Sequence, residues 1–138
     1  MLLDPCSVNF VLMAEDRFEM IIGVVGPCGA GKSSLVAGLN RHGYTVRHIA
    51  QEHSYVPDMW ERMTNPDILI YLKVSYENTV VRRKLDWTIE EYTEQLQRLK
   101  HAIQHADLMV DTNSFTVDEV LSTVISYLES TKLLSKDK

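Results

Sequence analysis

At 138 residues, 45% hydrophobic and 24% charged, the chain suits one compact domain with an ordinary core and room for a single site. A net charge of −5 excludes the broad basic footprint that nucleic-acid binding requires, and no apolar run reaches the roughly 18 residues of a membrane span. Cys6 and Cys28 are too few for a disulfide framework, and Cys28 lies in a Gly-rich loop where a disulfide would obstruct a ligand, so a reducing cytoplasm fits best.

Residues 1–19 read as an appendage to a single domain over 20–130, with 131–138 as a frayed tail. Val8 to Ala14 is apolar but interrupted by Asn9 and preceded by Asp4 rather than a basic group, which argues against a secretory signal. With the first strand beginning near Met20, Met13 and Met20 are candidates for alternative starts.

Met20 to Val25 is an apolar strand that runs into Gly26-Pro27-Cys28-Gly29-Ala30-Gly31-Lys32-Ser33, with a helix-like stretch from Ser34 to Arg41 behind it. This is G-x-x-x-x-G-K-[ST] in the strand-loop-helix setting that gives the pattern its meaning. The glycines let successive N–H groups turn inward around an anion, the helix adds the positive end of its dipole, and Lys32 reaches the outer phosphates. Ser33 is placed to hold Mg²⁺. Residues 26–34 are thus a candidate nucleotide-binding loop. No N-K-x-D run for reading guanine is present, so ATP is preferred over GTP.

His42-Gly43 ends the first helix, and Tyr44 to Ala50 is a second strand with a polar exit, Gln51-Glu52-His53-Ser54. Pro57 to Met63 is a short helix, Asn65-Pro66 a turn, and Asp67 to Val74 a near-continuous apolar strand of the kind buried on both faces. Ser75 caps a helix to about Lys84. Thr88 with Glu91, and Thr116 with Glu119, make capping boxes for two amphipathic helices that flank a short strand over Asp107 to Asp111.

Alternating strands and helices imply a three-layer α/β fold: a four-stranded parallel sheet with helices on both faces. Ligands in such sheets bind beyond the carboxyl ends of the strands, which puts the phosphate loop, the Gln51 to Ser54 exit, Ser75 and the residues after Asp111 on one rim.

Three stretches, the phosphate loop, Asp67 to Arg83 and Ala106 to Thr112, make the chain from about Met20 to Leu128 resemble the small P-loop kinases, the group of adenylate, shikimate and gluconate kinases. The resemblance implies Mg-ATP-dependent phosphoryl transfer to a small acceptor, with Arg82 and Arg83 neutralising transferring oxygens and Thr112 and Asn113 near the base. Arg98, within an amphipathic helix, is a weaker counterpart. One βα unit of that family is missing. If the second strand lies beside the first, its exit faces the terminal phosphate, and Glu52 becomes the best residue to coordinate Mg²⁺ or accept a substrate proton. His53 is an alternative base and Asp58 a third choice, while Asp111 is too far along the chain to serve as the metal-binding acid.

The lid is short, with only Lys84, Leu85, Asp86 and Trp87 between Arg83 and Thr88. Tyr55, Met59, Trp60 and Arg62 are candidates to line a small acceptor pocket, although Met59 and Trp60 also suit a core. Two functions are therefore expected: a small-molecule phosphotransferase, or a nucleotide-binding regulatory module or slow NTPase without an acceptor. The acceptor and the oligomeric state are not specified by the residues.

Overall fold

The computed structural model describes residues 20–83 and 86–136, with only the backbone described for Arg83 and residues 132–136. The N-terminal appendage, Lys84 and Leu85 of the short lid, and the last two residues lie outside the described residues.

The elements follow in the order β1 (Ile21–Val25), α1 (Lys32–Arg41), β2 (Thr45–His48), a 3₁₀ turn (Gln51–His53), α2 (Met59–Met63), β3 (Ile68–Lys73), α3 (Tyr76–Arg83), α4 (Ile89–His105), β4 (Leu108–Asp111) and α5 (Val117–Lys136). The four strands form one sheet in the order β2-β1-β3-β4, and every pairing is parallel. β2 therefore does lie beside β1. The chain crosses from β2 to β3 on the far side of β1, so the order reverses at β1, whose carboxyl end carries the Gly-rich loop of residues 26–33. That is the position where open α/β sheets form ligand crevices.

β3 is the central apolar strand, and its alternation divides the core into two. Ile68, Ile70 and Leu72 pack with Ile22, Val24, Leu35 and Leu39 and with Val120, Val124 and Leu128, a layer closed by α1 and α5. Leu69 and Tyr71 face the other way, toward Val25, Ile49, Trp60, Leu99 and Ala102, a layer closed by α2 and α4. Both faces are thus covered, as the continuous apolar character of β3 requires. The capping boxes form as the sequence leads one to expect: Glu91 N–H donates to Thr88 Oγ1 at 3.1 Å and Thr88 N–H to Glu91 Oε1 at 2.8 Å, with the same reciprocal pair between Thr116 and Glu119.

The polar exit after β2 begins with two buried residues, Gln51 and Glu52. Gln51 is fully buried; its amide donates to Val56 O at 2.9 Å and to Arg98 O at 3.2 Å and accepts from Trp60 N–H at 2.8 Å. A primary amide with these partners can be buried without penalty. Through it, the 3₁₀ turn, α2 and α4 are tied into one unit behind the sheet's rim.

Candidate functional site

Gly29 and Gly31 adopt φ of +88° and +95°, left-handed values that side-chain-bearing residues avoid, and they turn the chain around an open concavity at the start of α1. Among the described residues, no protein acceptor takes the N–H of Gly29, Gly31, Lys32 or Ser33. These donors and the helix N-terminus make an anion nest. The loop borders a cleft of about 510 Å³, within the usual range for small-ligand sites, whose lining runs from Cys28 to Leu35 and includes Glu52 and Arg82.

Gly26 marks where β1 ends against β3. A Cβ there would stand 2.7 Å from Leu72 O, a backbone atom with no freedom to move aside. Gly26→Ala should cost about 1–3 kcal/mol, the usual range for overpacking, measured by denaturant unfolding.

Lys32 is 6% exposed and its ammonium is held three ways: it donates to Gly26 O at 2.6 Å, to Pro27 O at 3.2 Å and to Glu52 Oε2 at 2.9 Å. Glu52 is 3% exposed, and its second oxygen, Oε1, has no hydrogen-bond partner. A buried carboxylate oxygen left bare is costly, so this atom points to a missing cation, water or proton. It is brought here by the 3₁₀ turn, held from behind by Arg98, which donates to Glu52 O at 3.2 Å, pairs with Glu94 at 3.0 Å and lies 4.5 Å over the Tyr55 ring. Arg98 thus supports the turn.

Arg82 reaches the cleft from α3, where it donates to Thr112 Oγ1 at 2.9 Å and to Thr112 O. Thr112 is buried and its hydroxyl donates to Lys73 O at 2.8 Å. Asn113 does not line the cleft; its Oδ1 accepts from Ser75 N–H and Asn78 Nδ2, and its amide donates to Asp111 Oδ1. Arg83 ends α3, and its side chain lies outside the described residues. Gly26 and Pro27 act through their carbonyls on Lys32, while Ala30, Ser33 and Ser34 line the cleft. Asp58, paired with Arg62 at 3.0 Å, and Asp111 are away from the cleft lining. His53 is exposed beside Glu52, with Nε2 3.7 Å from Oε2.

Of the acceptor-pocket residues, Trp60 is core, and its indole N–H donates to His101 Nδ1 at 3.0 Å. The end of the short lid is fixed by aromatic contacts. Trp87 Nε1 donates to Thr79 Oγ1 at 3.0 Å, Tyr76 OH donates to Trp87 O at 2.5 Å, and the Tyr76, Trp87 and Tyr92 rings pack within 5.8–6.4 Å of one another.

Two residues of the site lie outside the motifs. Gln95, buried in α4, accepts from Cys28 N–H at 3.0 Å and donates to Cys28 Sγ at 3.3 Å, fastening the Gly-rich loop to a helix far along the chain. Nothing in its position on an amphipathic helix distinguishes it. His48 ends β2 and lines the cleft, and the rule that ligands sit at strand carboxyl ends does point to it. Burial first, and the Lys32 ammonium second, lower its pKa from the ordinary 6.5, with the Glu52 carboxylate opposing. The unfolded chain then takes up the proton more readily than the folded one, so His48 subtracts stability as pH falls through about 6.5 and below. In an NMR titration its imidazole should titrate below the ordinary value and move upward in Lys32→Met.

Among the described residues no helix is long and apolar enough to cross a membrane. Compared with known families and with curated proteins, the sequence matches no family model and no curated protein.

Proposed function

We propose that the protein binds Mg-ATP in the phosphate loop and transfers its terminal phosphoryl group to a small acceptor. The observation that carries this reading is the conjunction of four unclaimed loop N–H groups with the buried Lys32–Glu52 pair at the end of β2. In this reading the nest holds the β-phosphate region, Lys32 exchanges Glu52 for phosphate oxygens, and Arg82 balances charge on the transferring group. Ser33 and Glu52 are the oxygen donors suited to Mg²⁺, and the bare Glu52 Oε1 fits that role. When bound, the ion supplies charge neutralisation at the phosphates. Glu52 or the neutral imidazole of His48 takes the acceptor's proton.

A single observation favours the second reading, a nucleotide-operated switch or slow NTPase: Trp87 and Tyr76 tie down the end of the lid that would have to close over the phosphates. Mg-ATP turnover with and without metabolite pools as acceptors separates the two. Phosphotransfer predicts acceptor-dependent ADP formation that is absent in Lys32→Met; acceptor-independent, slow phosphate release supports the switch and contradicts the kinase.

A further inference from the structure

Beside the phosphate loop three groups of different chemistry converge: the Cys28 thiol, the Glu52 carboxylate and the His53 imidazole, one donor atom of each within 4.8 Å of the others. Cys28 Sγ is 3.8 Å from His53 Nε2, and that same nitrogen is 3.7 Å from Glu52 Oε2. A tetrahedral zinc with ordinary bond lengths separates a sulfur and a nitrogen ligand by about 3.6 Å, and a nitrogen and an oxygen by about 3.4 Å. These two separations exceed the ideal values by a few tenths of an ångström, while the sulfur and the carboxylate oxygen lie within 4.8 Å and have further to close by side-chain rotation.

Two further features point to a cation. Glu52 is 3% exposed and its Oε1 is bare, so the carboxylate has unused ligating capacity inside the protein. Gln95 Nε2 donates to Cys28 Sγ at 3.3 Å, the outer-sphere hydrogen bond that stabilises a thiolate and orients it as a ligand. Sulfur and imidazole donors favour zinc-class ions over Mg²⁺, which requires oxygen ligands.

We propose that Cys28, Glu52 and His53 form a site for one thiophilic divalent cation of the Zn²⁺ class, with a fourth position open to water. The site joins the phosphate loop to the 3₁₀ turn. The oxygen that stands 3.7 Å from His53 Nε2 is Oε2, which Lys32 also holds at 2.9 Å, so the ion shares or displaces that ammonium contact while the thiolate and the carboxylate offset its charge. Occupation locks Glu52 in its present position, so the ion opposes any rearrangement of the loop that needs Glu52 to move. The site needs no nucleotide to form, but it draws on the same Glu52 carboxylate assigned above to Mg²⁺, so the two ions compete for that side chain.

Co²⁺ titration of the full-length chain, followed by optical absorption, tests it. The expected result is a 1:1 complex with a thiolate-to-metal charge-transfer band and intense visible bands of a tetrahedral site, displaced by Zn²⁺. The charge-transfer band should survive Cys6→Ser, vanish in Cys28→Ser, and require at least tenfold more metal in His53→Ala, whose side chain is largely exposed and whose loss leaves the fold intact. Absence of the band in the unmodified protein, its persistence in Cys28→Ser, its loss in Cys6→Ser, or an unchanged affinity in His53→Ala would each overturn the proposal. Circular dichroism of each variant confirms that the fold is retained, and His53→Ala decides the matter if Cys28→Ser does not fold.

Discussion

Lys32→Met is expected to weaken Mg-ATP binding roughly 10- to 150-fold, the equivalent of the ~1.5–3 kcal/mol carried by hydrogen bonds to a charged group. The methionine keeps the aliphatic stem that fills the loop but removes the ammonium that now bonds Gly26 O, Pro27 O and Glu52 Oε2. It also leaves Glu52 as a buried charge without a counter-ion, so the free protein should lose about 3–5 kcal/mol of stability. Calorimetric titration and denaturant unfolding measure the two effects separately. A variant that binds nucleotide as the parent does would show that Lys32 never leaves Glu52 for a phosphate.

Glu52→Gln is expected to split binding from turnover. In the free protein the Glu52 carboxylate competes with any phosphate for the Lys32 ammonium, across a 2.9 Å contact in a buried setting. Removing that charge releases Lys32 to the ligand and removes repulsion toward a polyphosphate, so metal-free ATP should bind at least as tightly as in the parent, while the gain from adding Mg²⁺ should shrink. Turnover should nonetheless fall by about 10²–10⁴, the contribution typical of a positioned acid–base group. The free variant is destabilised because the buried lysine loses its counter-charge, and nucleotide should restore part of the loss. Reduced binding with unchanged turnover would assign Glu52 a structural role.

Much of this was legible in the residues because the signals are local. Gly29, Gly31 and Lys32 stand in a fixed spacing that encodes a turn geometry, and the Thr88/Glu91 and Thr116/Glu119 pairs encode their own helix starts. The continuous apolar run of β3 encodes a strand covered on both faces. What was not legible depends on contacts across the chain. Gln51 and Gln95 look like solvated polar residues, yet each is buried because distant groups meet its amide: Trp60 N–H and Arg98 O for one, Cys28 for the other. Glu52 is the intermediate case, since its role followed from the condition that β2 lies beside β1, which only the sheet order could supply. The placements of Thr112 and Asn113 likewise depend on hydrogen bonds to Arg82, Lys73 and Ser75, none of which a local pattern contains.

In the proposed function the N–H groups around Gly29 and Gly31 hold a polyphosphate, and Lys32 turns outward to meet it. Thermal or chemical unfolding with added Mg-ATP tests this most directly. At about 100 times its Kd, the ligand should add ~2.7 kcal/mol to stability, and the gain should shrink sharply in Lys32→Met. Unfolding curves unmoved by millimolar Mg-ATP and Mg-GTP would show that the nest binds no nucleotide.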